Sequence, residues 1–146
     1  MLKKTGGAAF NKVRRAASEN LSNTLRILLH NKAYGIMIYR FSSKIVPLAT
    51  HPLLSGWDYT SELSPQLKAI GCFTNKDKIR VSFHPDHFTV LNSPKEEILQ
   101  SSLKDFQHHC LLLKEMGLDK GTKLVAHVGG TYNDREKSIK KNYRAI

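Results

Sequence analysis

Two apolar, strand-like runs each end in a histidine: Ile79-Arg80-Val81-Ser82-Phe83 leads into His84-Pro85, and Lys123-Leu124-Val125-Ala126 leads into His127-Val128-Gly129-Gly130. An imidazole at the C-terminal end of a buried strand is how an α/β protein presents a metal ligand or an acid–base group from a rigid sheet. Pro85 keeps the chain after His84 extended or turning. Gly129-Gly130 removes side-chain bulk where a ligand or phosphate could approach the backbone. His51, in Ala49-Thr50-His51-Pro52, lies in the loop beyond an earlier apolar run, so three successive strand ends are expected to supply imidazoles to one rim. Imidazoles joined by carboxylates suit zinc or manganese. Such an ion turns a bound water into hydroxide near neutral pH and clamps a phosphodiester. The interval from His84 to His127 is no local zinc signature, so these ligands would meet only through the fold. Carboxylates near the rim are few: Asp86 is close to His84, while Asp58 and Asp134 fall in loops. The residues by themselves describe an incomplete metal site.

The elements that must position these rings are legible from periodicity and punctuation. Val13, Ala17, Leu21, Leu25 and Leu28 recur at helical spacing and predict a first helix, stopped by Gly35. Ile36-Met37-Ile38-Tyr39 reads as a short strand buried on both faces, and residues 44 to 60, with three Pro or Gly breakers, as a loop. A weak helix is expected after Ser64-Pro65, ending at a turn around Asn75-Lys76-Asp77. Ser93, Pro94 and Glu96 form a capping-box pattern that predicts a helix from Ser93. Its stripe of Leu99, Leu103, Phe106, Cys110 and Leu113 would be buried, and Gly117 would end it. His30, His108 and His109 lie off the apolar stripes and are expected at surface or boundary positions. After the strand from Lys123 to Val128, Asn133 and Glu136 frame another capping box, opening a basic helix that runs to Ile146. Strands alternating with helices point to parallel pairing through right-handed crossovers.

The chain has 146 residues and 40% hydrophobic content, enough for one domain with a core. A complete (β/α)8 barrel needs roughly 250 residues. No apolar run approaches the roughly 20 residues that span a bilayer, and Met1-Leu2-Lys3-Lys4 leads into Gly and Ala, unlike a signal peptide. A cytoplasmic location with no membrane partner is the expectation. Cys72 and Cys110 lack a metal or redox spacing and are expected to be reduced packing residues. The formal charge is +11, from 23 Lys and Arg against 12 Asp and Glu, which favours a polyanionic partner. Basic residues concentrate at both ends, among them Lys12, Arg14 and Arg15 near one and Arg135, Lys137 and Lys140 near the other.

The ordered set Tyr39-Arg40-Phe41-Ser42-Ser43, Pro47 to Pro52, Ser82-Phe83-His84-Pro85-Asp86-His87-Phe88-Thr89-Val90-Leu91-Asn92-Ser93-Pro94-Lys95-Glu96 and His127-Val128-Gly129-Gly130-Thr131-Tyr132 resembles the UV damage endonuclease family (UvsE/UvdE). The resemblance runs from about Asn20 to Ile146, and residues 1 to about 12 do not visibly match. It implies a TIM barrel related to endonuclease IV that nicks double-stranded DNA immediately 5′ to UV photoproducts, using divalent metal ions that usually include manganese. It further implies metal ligation by His84 and His127, an active-site role for His51, and lesion probing by His87 and Phe88. Phe88 keeps an aromatic wedge that can replace lost base stacking. His87 departs from the family's usual Gln.

By the same resemblance the chain is expected to be an N-terminal part of an incomplete, single-domain α/β TIM barrel. It would hold the second to fourth strands and lack the first strand and the second half. Open sheet edges would then favour a complementing polypeptide or self-association. Two other readings stand beside this one. One is an endonuclease IV-like or sugar isomerase-like barrel; the other is a noncatalytic basic nucleic-acid-binding remnant.

Overall fold

The computed structural model describes residues 3–118, 121–127 and 129–145, and the side chains of residues 7 to 140 within them. Met1-Leu2, Val128 and Ile146, on which parts of the sequence reading fell, lie outside the described residues.

Ala17, Leu21 and Leu28 form the buried stripe of α1 (Lys3–Ala33), each fully out of water. That stripe seats on Leu63, Leu67 and Ile70 of α2 (Tyr59–Lys76). Gln66 on α2 reaches back across this contact, its Nε2 donating to Ser18 O at 3.1 Å and Ser22 Oγ at 3.1 Å. Gly35 ends α1 with φ +72°, a left-handed conformation that glycine adopts without strain. α2 begins earlier than the sequence suggests, with Pro65 inside it. Asp58 starts it, accepting from Ser61 N at 3.1 Å and from the Thr60 and Ser61 hydroxyls, and these bonds pull its carboxyl down to about 2.

Three strands, β1 (Ile38–Phe41), β2 (Arg80–Phe83) and β3 (Lys123–Leu124), form one parallel sheet in the order β1-β2-β3. Tyr39 pairs with Val81 and Phe41 with Phe83, while Phe83 pairs with Leu124. Phe41 and Phe83, 1% and 0% exposed, stack at 4.9 Å between ring centroids and anchor the sheet beneath the helices. β1 lies later than expected and is not buried on both faces: Ile36, Met37 and Ile38 are 45%, 41% and 60% exposed. The physical reason is that only the face of β1 carrying Tyr39 and Phe41 is covered, while Ile38 and Arg40 on the opposite face are exposed; β1 also has a neighbour on one side only among the described residues.

α3 (Glu96–Glu115) covers β2 and crosses α2 closely enough that a Cβ on Gly71 would lie 1.6 Å from Met116 O. Its stop follows the Schellman pattern, with Gly117 N donating to Lys114 O and Leu118 N to Leu113 O around a Gly117 φ of +67°. Its start differs from the predicted capping box, because the Ser93 hydroxyl accepts from Lys95 N and the helix opens at Glu96. Its buried face is also rotated: Ser102, His108, His109, Leu112 and Leu113 are buried, while Cys110 is exposed. Cys72 and Cys110 are free thiols on the surface, not packing residues. α4 (Arg135–Ala145) is capped by Asp134, which accepts from Lys137 N at 3.0 Å, and not by Asn133, whose φ is +64°. No helix among the described residues is long and apolar enough to cross a membrane.

Candidate active site

His84 leaves β2 one residue after the buried Phe83, and His127 lies just beyond β3. Parallel pairing carries both to the same end of the sheet, and a bridge between Val90 and His127 draws the two loops together. The His84 and His127 rings meet edge to face, 4.7 Å between centroids. His127 Nε2 is buried without a hydrogen-bond partner. An imidazole nitrogen left bare in this way beside a second imidazole fits one side of a divalent cation. The fit is to two donors: among the described residues no three His, Cys, Asp or Glu side chains are grouped to hold a metal.

The loop after His84 is tied by polar contacts to its neighbours. Asp86 accepts from His87 N at 2.8 Å, pairs with His87 Nδ1 at 2.8 Å and lies 3.5 Å from Lys44 Nζ. Partial burial works against ionisation of Asp86, but the His87 amide and the Lys44 charge outweigh it and hold the carboxyl below its usual range. Phe88 then projects outward, 74% exposed, with the His87 ring against it at 3.8 Å.

His51 lies in the loop that follows β1. Its Nδ1 accepts from Leu53 N at 3.2 Å and caps the short 3₁₀ turn Pro52–Leu54. In the neutral ring the proton therefore resides on Nε2, which makes His51 a hydrogen-bond donor at that atom and not a metal ligand in this conformation. The ring borders an apolar hollow of about 650 Å³ walled by Phe10, Val13, Leu48, Leu54 and Trp57. Asp105 on α3 connects this loop to the next: Thr50 Oγ1 donates to its Oδ1 at 2.8 Å, and Thr89 Oγ1 to its Oδ2 at 3.2 Å. One carboxylate thus steadies the immediate neighbours of His51 and Phe88.

His108 and His109, expected at the surface or boundary, are 6% and 3% exposed. His109 Nδ1 donates to Asp105 O at 2.6 Å, and His108 Nδ1 shares a 2.8 Å hydrogen bond with the Tyr59 hydroxyl. Burial, reinforced by the neighbouring His109, pushes His108 down to about 4. Both rings line a small cavity of about 160 Å³ with Lys44, Thr50, Asp86 and Asp105, between the loops that follow β1 and β2. The signal in the sequence was their spacing: each lies four residues before a core leucine, Leu112 or Leu113.

A parallel sheet alternating with helices, with paired histidines at its C-terminal end, defines an α/β protein that carries its candidate site at the strand ends. The family profile described as UV-endonuclease UvdE matches residues 3–146, and the chain belongs to that family. It is 47% identical over 123 residues to a UV DNA damage endonuclease of Halalkalibacterium halodurans, covering 84% of this chain and 38% of that protein. It is 42% identical over 120 residues to the UV DNA damage endonuclease of Bacillus velezensis, covering 82% and 37%. Among solved structures it matches SacUVDE with a TM-score of 0.87 at 35% identity, over 92% of this chain and 46% of that one. The sheet and helices are thus a section of a TIM-like barrel, and the chain spans less than half the length of these relatives.

Proposed function

We propose that this chain provides the His84 and His127 portion of a DNA repair endonuclease that nicks duplex DNA 5′ to UV photoproducts by metal-assisted phosphodiester hydrolysis. The observation that carries the reading is the facing pair His84 and His127, with His127 Nε2 bare. His84 and His127 would hold one side of a divalent ion, manganese by family resemblance, with further ligands from outside the described residues. Such an ion, when bound, polarises the phosphodiester and lowers the pKa of an attacking water. His51 Nε2–H donates to a phosphate oxygen, a role for which its capped Nδ1 fixes the tautomer. Phe88 wedges into the stack at the lesion, and His87 in place of the usual Gln offers a different donor–acceptor pattern to a base edge.

The partner is double-stranded DNA bearing photoproducts, in the cytoplasm. Among the described residues β1 and β3 each have a strand neighbour on one side only, which suits a polypeptide that supplies further barrel strands. The test is to incubate the purified chain and Mn²⁺ with irradiated, abasic and undamaged duplexes, with and without a polypeptide carrying the remainder of a relative. Incision 5′ to photoproducts, dependent on the ion, is expected in the complemented sample. Cutting of abasic DNA alone would instead mark an endonuclease IV-like barrel. The charge of +11 favours a second reading, a noncatalytic nucleic-acid binder. Its mark would be lesion- and metal-independent binding with no incision.

A further inference from the structure

Asn92 lies in the turn between the His84 loop and α3, and it is only 2% exposed. Its Nδ2 donates to Gly130 O at 2.8 Å, across 38 residues of chain. Its Oδ1 is buried with no hydrogen-bond partner. Burying an amide with an unmet oxygen destabilises a fold relative to an apolar side chain of the same shape, so packing alone does not account for the residue type. What the amide does, and a leucine could not, is grip the carbonyl three residues after His127.

The bare oxygen has a geometric consequence of its own. A Cβ on Gly129 would lie 2.0 Å from Asn92 Oδ1 and 3.3 Å from Val90 Cβ, and Gly129 has φ +85°. Only a hydrogen on the Gly129 Cα can face that oxygen, in a weak C–H···O contact. The chain leaving His127 is therefore pressed onto the Asn92 amide on one side and held by it at Gly130 on the other. Val90 continues the connection, bridging His127 while its N–H donates to Ser102 Oγ on α3 at 3.0 Å.

We propose that Asn92 is a positioning residue that locks the segment after His127 onto the segment after His84, and so keeps the two imidazoles facing each other. The proposal deepens the metal-site reading and rests on it for its functional meaning. Asn92 touches neither the ion nor the substrate in this role. It acts through Gly129 and Gly130 on the direction in which His127 Nε2 points. Partners of this supporting kind typically change metal affinity by about 10- to 100-fold when lost.

The experiment uses the full chain with ¹³C- and ¹⁵N-labelled side chains and Co²⁺ alone as the probe. In the wild type, NOE cross-peaks connect the His84 and His127 ring protons. In Asn92→Ala and in the isosteric Asn92→Asp, which removes the donor to Gly130, those cross-peaks disappear while the Phe41–Phe83 cross-peaks of the core persist. Co²⁺ affinity falls at least about tenfold in both variants. Retention of the His84–His127 cross-peaks at wild-type intensity in either variant overturns the proposal. Loss of the Phe41–Phe83 cross-peaks together with them in both variants overturns it too, by making Asn92 a general fold determinant. A wild-type chain that binds no Co²⁺ in the presence of a polypeptide carrying the remainder of a relative defeats the metal reading separately, and the ring-to-ring cross-peaks still decide the role of Asn92.

Discussion

Phe88 and His108 show how differently two rings from one region behave. Phe88 is exposed and contributes little to the core. Phe88→Ala should leave the unfolding free energy from urea titration within about 0.5 kcal/mol of wild type. It should reduce the preference for irradiated over undamaged duplex by roughly 10- to 100-fold, the equivalent of about 1–3 kcal/mol of lost stacking. Competition binding measures this, and an unchanged preference would remove the wedge role. His108 is the reverse case, buried and neutral, with a pKa near 4 in the fold against 6.5 for the free side chain. Between those values the unfolded chain takes up a proton that the fold refuses. Its stabilising share is complete above about pH 6.5 and is lost as pH falls toward 4, on the order of 3 kcal/mol in all. The urea midpoint should therefore drop between pH 7 and pH 5, and His108→Gln should flatten that drop.

At the level of elements, the α2–α3 crossing is the least forgiving contact. Gly71→Ala would drive a methyl group into Met116 O, forcing the helices apart, and should cost about 3 kcal/mol in urea unfolding. Asp105→Ala should instead release two loops without disturbing that crossing. Amide exchange around Thr50 and Thr89 should then speed up at least about tenfold while α2 and α3 keep their protection. The periodicity of α1 and the run forming β2 were legible because each follows a single pattern, one buried helical face in α1 and alternation along the strand in β2. β1 was set too early and too deep, since nothing in Ile36-Met37-Ile38 announces an edge position. Pro65 disguised the start of α2, whose true signal was Asp58 ahead of Ser61 and Glu62. The adjacency of His84 and His127 could be anticipated because parallel strands deliver their C-terminal ends to one side. The burial of His108 and the grip of Asn92 could not, because Tyr59 and Gly130 reach them only through tertiary packing.

Across the whole molecule, charge dominates. With a formal +11, binding to duplex DNA should weaken steeply with salt. Six or more phosphate contacts would lower affinity by roughly 10³-fold between 50 and 200 mM, and a shallow slope in a salt titration would exclude a broad electrostatic footprint. The same positive field has a second consequence once the bare flank of β1 is considered. Ile36, Met37 and Ile38 present greasy side chains at the start of a strand with a neighbour on one side only among the described residues, and like-charged molecules repel one another before those flanks can meet. Coating the protein with a polyanion cancels that repulsion. Turbidity on mixing with nucleic acid near charge equivalence, clearing in excess of either component, would then report colloidal neutralisation and not specific recognition.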